Sequence, residues 1–314
     1  MNPILLDVDT GIDDALAIAY AVHSPELEIL GITTCFGNAS VEETTRNTLQ
    51  VLEVLGAEEI PVIAGAGNTL AGYPPREKAS WIHGENGLGD VKLPLPTRRP
   101  LDGNAAQFII SEVRRRPHEV TLITVGSLVN LATALRQDPE IAGLLKQVVV
   151  MGGAVTVPGN ITPHAEANIH ADPEAADVVF RSGVPITLVG LDVTMKTLLR
   201  RERLEDWRRE NTEVSWFLAD ICDFYMNAYH QEVDASLGGC ALHDPLTVGI
   251  VIDPSFVRTT PMKVRVITEG EERGRTVGSE HLSSHVQVAL KVDSDRFVSH
   301  FLSRVVPQVS FSQS

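Results

Sequence analysis

Residues 4–22 read ILLDVDTGIDDALAIAYAV, and this stretch decides the fold class of the chain. The apolar run Ile4–Leu6 opens a predicted buried strand, and Ala15–Val22 is typical of a helix. The acidic residues between them therefore lie on the turn that joins the strand to the helix. Such a turn lies at the carboxyl edge of a sheet, where open α/β sheets bind their ligands.

Four carboxylates within eight residues indicate a metal site on this turn. They belong to Asp7, Asp9, Asp13 and Asp14. Like charges at this spacing repel one another unless protons or a cation relieve them, and carboxylate oxygens suit a hard cation such as Ca²⁺ or Mg²⁺. The sequence therefore predicts a metal site that has a carboxylate to spare for acid–base chemistry.

Two other interpretations of the turn explain fewer of its residues. Asp9 or Thr10 could cap the helix, with the later aspartates complementing the helix dipole, but a cap uses one or two acids rather than four. A phosphatase-type Asp-x-Asp-x-Thr/Val motif would start at Asp7, and Gly11 then stands where that motif has Thr or Val. Both comparisons favour the metal site.

Short apolar runs alternate with helical patterns along the chain, which is the signature of βαβ units. The predicted strands are Ile4–Val8, Leu27–Thr34, Pro61–Ala64, Val120–Val125, Gln147–Met151 and Pro185–Leu191. The further predicted helices are Val41–Leu55, Gly103–Arg115, Leu128–Gln137, Pro173–Arg181 and Arg203–Tyr229. We predict an α/β fold with a doubly wound, mostly parallel central sheet and helices on both faces. No composition shift marks a linker, so one domain over residues 1–314 is predicted.

Two stretches depart from this alternation. Residues 66–99 are rich in Gly and Pro and are predicted to form a long loop that covers the ligand site. Residues 263–291 are predicted to form strands around a turn at 269–274, and a final helix is predicted at Asp295–Val305.

The composition is that of an acidic globular protein. Of 314 residues, 43% are hydrophobic and 21% are charged, so a large core is available. The net charge of −15 argues against nucleic acid or an anionic membrane as a partner, because both would be repelled. A small substrate that is neutral or cationic is favoured.

Cysteine usage and the first residues predict a cytoplasmic protein. Cys35, Cys222 and Cys240 are odd in number and lack C-x-x-C spacing, which argues against a disulfide framework or a zinc site. The run Ile4–Leu6 is too short for a secretory signal, and Ala15–Val22 is far below the ~20 residues that span a bilayer.

Several motifs together resemble one known family. The stretch Asp7–Ala15 is similar to the signature of the inosine–uridine-type nucleoside hydrolases, enzymes that cut the N-glycosidic bond of ribonucleosides with a bound Ca²⁺. Further blocks follow in the family's order: TTCFGN at 33–38, HGENG at 83–87, GSLVN at 126–130, MGG at 151–153, EAN at 166–168 and HDP at 243–245. No block is specific by itself, but together they are highly specific and span most of the chain.

The resemblance implies a Ca²⁺ site and a general base. The implied ligands are the carboxylates of Asp9, Asp14 and Asp244 and the backbone carbonyl of Val125. The resemblance implies that Asp13 takes a proton from a Ca²⁺-activated water, while Asp7 orients the turn. Without the resemblance, Asp244 before Pro245 would be interpreted as the start of a plain turn.

The same resemblance implies that a small group of polar side chains recognises the ribose. The group consists of Asn38, Asn160, Glu166 and Asn168, helped by Asp14 and Asp244. Amides and carboxylates make directional hydrogen bonds to a polyol, so deoxynucleosides are expected to be poor substrates. From the residues alone, turn chemistry beside Gly37 and Gly159 is the favoured interpretation of Asn38 and Asn160.

The leaving base needs a proton or a hydrogen-bond donor. The candidates are His83, His243, Tyr225 and Tyr229. His243 resembles the leaving-group histidine of the family's broad-specificity branch, whereas a tyrosine pair at i, i+4 is more often core packing. Trp81, Trp207 and Trp216 are not expected to supply the stacking pocket of the purine-specific branch, and His164 is expected only to flank the site.

The predicted function is a ribonucleoside hydrolase that releases a free base and ribose from purine or pyrimidine nucleosides. One alternative is hydrolysis of another N-riboside, such as nicotinamide riboside or a modified nucleoside. Another is a nucleoside-binding protein that has lost catalysis, and the presence of Asp13 favours the enzyme over it. The resemblance also implies a homodimer or homotetramer. The preferred base is not predicted.

Overall fold

The computed structural model describes residues 1–306. Residues 307–314, the end of the predicted domain, lie outside this range. The strands are β1 (Asn2–Val8), β2 (Leu27–Thr34), β3 (Val62–Ala64), β4 (Thr121–Thr124), β5 (Gln147–Met151), β6 (Ile186–Val189), β7 (Leu198–Arg200), β8 (Gly239–Ala241), β9 (Val257–Val266), β10 (Thr276–Glu280) and β11 (Val286–Val292).

Helices connect most of these strands. They are α1 (Ile12–Val22), α2 (Val41–Val54), α3 (Ser80–His83), α4 (Ala105–Arg115), α5 (Val129–Gln137), α6 (Ile141–Leu144), α7 (Ala167–Ala171), α8 (Pro173–Arg181), α9 (Leu191–Thr194), α10 (Glu202–Glu210), α11 (Glu213–Ala228), α12 (His243–Ile252) and α13 (Ser294–Leu302). Within residues 1–306, no helix is both long enough and apolar enough to cross a membrane.

Among the described residues, nine strands form one sheet in the order β10-β9-β11-β6-β5-β4-β1-β2-β3. Every neighbouring pair from β11 to β3 is parallel. Strands β9 and β10 add an antiparallel edge, and β7 and β8 pair separately. The predicted mostly parallel sheet is therefore confirmed.

Alternate residues of β1 belong to two separate cores, one on each face of the sheet. Ile4, Leu6 and Val8 pack in one core with residues of α1 and α12. Leu5 packs in the other core with residues of α4, α5 and α8. Because helices cover both faces, the central strands are apolar along most of their length. The doubly wound arrangement is confirmed.

The predicted helix Arg203–Tyr229 is wrong, because the chain breaks it in the middle. Asn211 adopts a left-handed conformation with φ of 51° and ends α10. Thr212 then starts α11, since its side chain accepts a hydrogen bond from the backbone N–H of Ser215. After α11, residues Tyr229–Val233 wind as a wider π-helical turn, which places Tyr229 beside the cavity described below.

Two helix starts carry acidic site residues and differ from prediction. Helix α1 begins at Ile12 rather than Ala15, so Asp13 and Asp14 lie in its first turn. Helix α12 begins at His243 and places Asp244 in its first turn, where a plain turn was the interpretation from the residues alone. The positive end of each helix dipole therefore faces these carboxylates.

The loop predicted at residues 66–99, hereafter the covering segment, is irregular apart from the single turn α3. It begins at the carboxyl end of β3, and Asn130 of α5 anchors its start by accepting a hydrogen bond from the backbone N–H of Ala66 at 3.0 Å. The predicted strands near the end of the chain are present as β9 to β11, with residues 269–274 between β9 and β10. The predicted final helix corresponds to α13.

Candidate active site

The carboxyl ends of the central strands open into a cavity of about 520 Å³. Eleven predicted site residues line it: Asp13, Asn38, His83, Val125, Asn160, Glu166, Asn168, Tyr225, Tyr229, His243 and Asp244. The two remaining ones, Asp9 and Asp14, are fully buried against these residues. The volume is in the range of small-molecule sites. The fold thus brings together side chains from widely separated parts of the chain.

A carboxylate cluster lies beneath this cavity. Oxygens of Asp13, Asp14 and Asp244 lie within 4.8 Å of one another, an arrangement that could hold a metal ion. Asp9 Oδ1 and Asp13 Oδ1 are buried, and within residues 1–306 neither has a hydrogen-bond partner. Buried carboxylate oxygens without donors are costly unless a cation or a proton binds them. The donor set therefore fits a hard cation.

Asp14 and Asp9 are held in place by backbone N–H groups of the surrounding turns. Asp14 accepts hydrogen bonds from the N–H of Asp9 at 3.0 Å and of Gly11 at 2.9 Å. Asp9 Oδ2 accepts from the N–H of Asn38 at 2.8 Å. A Cβ at Gly37 would lie 1.9 Å from that Oδ2, so the close approach requires glycine. Glycine at position 37 therefore lets the turn after β2 pack directly against the buried carboxylate of Asp9.

The electrostatics of the cluster follow from burial and like charge. Burial, and then the neighbouring carboxylate of Asp14, raise the pKa of Asp13 to about 8. The same causes hold the pKa of Asp9 well above its ordinary value. Burial, followed by the charge of Asp13, does so for Asp244. The cluster cannot ionise completely at neutral pH unless a cation is present.

Glu166 and Asn168 occupy the wall formed after β5. The Glu166 carboxylate accepts hydrogen bonds from the backbone N–H groups of Gly153, Asn168 and Ile169 at 2.9 to 3.1 Å. Asn168 Nδ2 donates to the carbonyl of Val125 at 2.7 Å. Val125 itself lines the cavity. Asn160 is exposed at the rim and accepts from the N–H of Ala167.

His83 meets the first turn of α1. Its Nδ1 accepts a hydrogen bond from the N–H of Ile12 at 3.1 Å, so the neutral ring carries its proton on Nε2. Nε2 lies 4.0 Å from Asp13 Oδ1. The ring stacks on Tyr225 with centroids 5.5 Å apart. Burial, with the charge of Arg76 next, lowers the pKa of His83 to about 3, so the side chain is neutral at pH 7.

His243 is the centre of a short hydrogen-bonded chain. Its Nε2 lies 2.7 Å from the hydroxyl of Tyr229, and its Nδ1 lies 2.8 Å from Oγ1 of Thr194. Burial lowers the pKa of His243 to about 4, so this imidazole is also neutral at pH 7. The rings of Tyr225 and Tyr229 pack edge to face with their centroids 4.9 Å apart. The tyrosine pair therefore belongs to the site as well as to the core.

Three functional candidates were not predicted as site residues. Thr194 orients His243 from the short helix α9, and Arg76 lines the cavity from the covering segment. Trp81 also lines the cavity, with 47% of its surface exposed. Trp207 is buried in the core. No local sequence signal marks the first two, because each depends on a contact between distant segments.

Two further predictions concern residues near the site. Asp7 is buried and accepts hydrogen bonds from Thr33 Oγ1 at 2.6 Å and Asn130 Nδ2 at 2.8 Å. These contacts tie β1 to β2 and α5 at the sheet edge that carries the acids. His164 is exposed, 3.9 Å from Glu272, and does not line the cavity.

Comparison with known proteins identifies the family. A family model described as inosine-uridine preferring nucleoside hydrolase matches residues 4–299. Uridine nucleosidase 1 of Arabidopsis thaliana is 42% identical over 279 residues, which cover 89% of this chain and 82% of that protein. Pyrimidine-specific ribonucleoside hydrolase RihA of Salmonella gallinarum is 37% identical over 310 residues, covering 96% of this chain and 98% of that protein.

A solved structure agrees with the sequence relatives. The purine-preferring ribonucleoside hydrolase from Gardnerella vaginalis has a TM-score of 0.94 and 42% identity, with 97% of this chain and 98% of that chain covered. The chain belongs to the inosine-uridine preferring nucleoside hydrolase family, and it is an enzyme that hydrolyses the N-glycosidic bond of nucleosides.

Proposed function

We propose that this nucleoside hydrolase uses Ca²⁺ to cleave purine and pyrimidine ribonucleosides to a free base and ribose. The observation that carries the proposal is the buried carboxylate cluster beneath the cavity, with two oxygens that lack any hydrogen-bond partner within residues 1–306. A site that is dense in carboxylates favours a transition state in which positive charge develops on the sugar.

The proposed metal ligands are oxygen atoms only. They are the carboxylates of Asp9, Asp14 and Asp244 and the carbonyl of Val125. Oxygen donors without nitrogen or sulfur are the set that Ca²⁺ prefers. A bound Ca²⁺ would lower the pKa of a water molecule and offer coordination to the sugar hydroxyls.

We assign Asp13 as the general base. Its carboxylate lines the cavity, whereas Asp9 and Asp14 lie deeper. In this role Asp13 accepts the proton of the water molecule that attacks the anomeric carbon. Nε2 of the neutral His83 lies 4.0 Å from this carboxylate, which is longer than a hydrogen bond.

Asp9 is the second candidate for the base, and a specific observation favours it. Asp13, and not Asp9, joins Asp14 and Asp244 in the group whose oxygens approach within 4.8 Å. Asp9, like Asp13, retains a buried oxygen that has no hydrogen-bond partner within residues 1–306. In that alternative Asp9 takes the proton, and Asp13 binds the metal or the sugar. The variants described in the Discussion separate the two roles.

Sugar and base are proposed to occupy different walls of the cavity. Ribose is bound by Asn38, Asn160, Glu166 and Asn168, next to the carboxylate cluster. The base leaves on the side of His243 and Tyr229, where a neutral imidazole and a hydroxyl share one hydrogen bond. His83 and Tyr225 complete this wall as donors. The bases acted on by the named relatives differ, so no single base is assigned.

The deciding experiment is a substrate panel. Purified protein is incubated with uridine, cytidine, inosine, adenosine, guanosine, 2′-deoxyuridine and nicotinamide riboside, and the released base is measured. We expect ribonucleosides to be cleaved and 2′-deoxyuridine to be a poor substrate. Cleavage of nicotinamide riboside alone would replace the proposal by the alternative of another N-riboside.

Chelation tests the metal separately. Exhaustive treatment with a chelator is expected to abolish turnover, and added Ca²⁺ is expected to restore it, because water activation and sugar binding both need the cation. A full rate in the metal-free protein would contradict the proposal.

The proposal also includes a cytoplasmic location, consistent with three buried free cysteines, and assembly as a homodimer or homotetramer.

A further inference from the structure

Helix α2 carries a buried polar face to which the proposed mechanism assigns no role. Five of its nine buried residues are polar: Thr44, Thr45, Asn47, Thr48 and Gln50. Burying a polar side chain is costly unless it is hydrogen-bonded, so the partners of these side chains show what the helix holds. They lie in the acidic turn of residues 7–14, at the end of β2 and in the covering segment.

Asn47 joins the acidic turn to the covering segment through one amide group. The residue is 1% exposed, and its Nδ2 donates to the carbonyl of Thr10 at 3.2 Å and to the carbonyl of Asn86 at 2.9 Å. Both partners can only accept, so this position requires the two N–H groups of a carboxamide. A Cβ on Gly87 would lie 2.7 Å from Nδ2 of Asn47, so the covering segment packs directly against the amide.

The part of the covering segment that Asn47 holds is a compact turn that carries His83. Asn86 Oδ1 accepts hydrogen bonds from two backbone N–H groups further along the turn, at 2.8 and 3.0 Å. The N–H of Gly89 donates to the carbonyl of His83 at 2.8 Å. These bonds close residues 83–90 into one unit, so a contact that fixes the carbonyl of Asn86 also fixes His83.

The other partner of Asn47 belongs to the acidic turn. Thr10 also contacts the next residue of α2, because its Oγ1 lies 2.7 Å from Oγ1 of Thr48. Two positions after Thr10, the N–H of Ile12 donates to Nδ1 of His83 at 3.1 Å. Helix α2 therefore holds the acidic turn and the turn of residues 83–90 together at the place where they meet.

We propose that Asn47 is a positioning residue that fixes His83 against the first turn of α1. Asn47 does not line the cavity, so it acts on the substrate only through the residues that it holds. This step rests on the proposed function, which places His83 in the wall where the base leaves. A donor helps the base to leave only at hydrogen-bond distance, so the orientation of the imidazole has to be fixed.

The direct test is hydrogen exchange of the Ile12 amide. Ile12 is the first residue of α1, so its N–H has no partner within the helix and is protected by His83. Asn47→Leu keeps the branching of the side chain and removes both donors. We expect the Ile12 amide to exchange about tenfold faster or more in Asn47→Leu and in His83→Ala, with the central strands unchanged. Unaltered protection of Ile12 in Asn47→Leu would overturn the proposal.

A double-mutant cycle tests whether Asn47 acts through His83. The value of kcat on uridine is measured for Asn47→Leu, His83→Ala and the double variant. Asn47→Leu should lose about tenfold to a hundredfold, because a misplacement of about 1 Å in a site can cost about 10²-fold. The double variant should lose no more than about twofold beyond His83→Ala, since coupled residues are not additive. Losses that multiply would overturn the proposal.

Gln50→Leu is the matched control on the same helix. Gln50 Nε2 donates to the carbonyl of Pro94 at 2.6 Å, in the covering segment beyond the turn that carries His83. Its loss should change neither the exchange of the Ile12 amide nor kcat. Asn47→Ala, which leaves room for water beside the two carbonyls, repeats the test if Asn47→Leu does not fold, and melting temperatures show which variants are folded.

Calorimetric Ca²⁺ titration separates the positioning of His83 from an effect on the metal site. Asn47→Leu should keep its Ca²⁺ affinity, because Asp9 and Asp14 keep their own backbone N–H donors. A loss of affinity as large as the loss of kcat would show that Asn47 acts through Thr10 on the metal site, and it would overturn the proposal.

Failure of the proposed function would look different. If the wild-type protein cleaved no ribonucleoside, or if His83→Ala kept its full kcat, the proposed function or the role of His83 in it would fail. Exchange of the Ile12 amide would still decide whether Asn47 holds His83 in place.

Discussion

At the scale of single residues, Asp9 and Asp13 carry the same chemical group and differ in how far the carboxylate lies from the cavity. Both are buried carboxylates with one oxygen that has no hydrogen-bond partner in the described part of the chain, residues 1–306, but of the two only Asp13 lines the cavity. Asp9 is additionally held by the N–H of Asn38. Asp9, whose carboxylate is fixed by this backbone N–H, is suited to bind a metal. Asp13, whose carboxylate faces the cavity, is suited to accept a proton from a water molecule.

Replacement by asparagine is predicted to have different effects at Asp13 and at Asp9. Asp13→Asn keeps the shape but accepts a proton poorly, so kcat should fall by about 10²–10⁴-fold while Ca²⁺ affinity is retained. Asp9→Asn should weaken Ca²⁺ binding as well. Calorimetric Ca²⁺ titration of both variants, beside kcat, makes the measurement. If both variants lost Ca²⁺ affinity equally, or if only Asp9→Asn lost kcat while it kept its Ca²⁺ affinity, Asp9 would be assigned as the general base.

His243 provides a second prediction at this scale. If it helps the base to leave, His243→Ala should reduce kcat on inosine or uridine by about 10²–10⁴-fold. A substrate with an activated leaving group, p-nitrophenyl riboside, needs no proton and should be affected little. Tyr229→Phe, which removes the hydroxyl 2.7 Å from Nε2, should show the same pattern in weaker form. Measured at saturating Ca²⁺, parallel losses on both substrates would assign His243 to positioning Asp244 instead.

At the scale of elements, the site depends on how closely α1 approaches the covering segment. The N–H of Ile12 in the first turn of α1 donates to His83 of α3. Gly11 permits this contact, because a Cβ there would lie 2.7 Å from Nδ1 of His83 and 2.8 Å from Nδ2 of Asn38. One missing methyl group therefore sets the distance between the acidic turn and the cavity wall.

Gly11→Ala is predicted to impair catalysis more than folding. The added methyl should displace His83 and Asn38, and a misplacement of about 1 Å in a site can cost about 10²-fold in rate. Overpacking should also lower the free energy of unfolding by about 1–3 kcal/mol. Gly143→Ala is the matched control, since a Cβ there meets no atom of residues 1–306 within 4 Å. Measurement of kcat/KM and of urea unfolding for both variants checks this, and an unaltered rate in Gly11→Ala would contradict it.

At the scale of the whole molecule, the buried acids connect stability to pH. In the folded protein without metal, burial raises the pKa of Asp7 to about 6 and that of Asp13 to about 8, from an ordinary value of 3.8. The folded state therefore binds more protons than the unfolded state between about pH 4 and about pH 8. The contribution of these two aspartates to stability is fully present below that window and is lost as the pH rises through it.

Chelated protein is accordingly predicted to melt at progressively lower temperature as the pH rises from 5 to about 8. Ca²⁺ should raise the melting temperature, and its effect should grow with pH, because protons compete with the cation for the same carboxylates. Thermal melting in chelator and in Ca²⁺ across this range measures both effects. A melting temperature that rises with pH in chelator would contradict the pKa directions given above.

The sequence by itself determined the elements whose signal is local. Gln147–Met151 and Pro173–Arg181 have the predicted bounds because apolar runs and Pro at a helix start act within a few residues. The acidic turn of residues 7–14 likewise predicted the sheet edge that carries the site. The break at Asn211 was missed, since a left-handed residue and a capping Thr leave the helical pattern on either side intact.

Only the tertiary structure decided which distant side chains meet. Thr194 reaches His243 across 49 positions, and Ile12 reaches His83 across 71, because parallel strand ends and helix starts converge at one edge of the sheet. Arg76 enters the cavity from an irregular segment whose path no periodic pattern specifies. The local sequence thus specified which reactive side chains the chain carries. Its arrangement depended on burial and close approach between segments, which are properties of the folded molecule and not of any short stretch of residues.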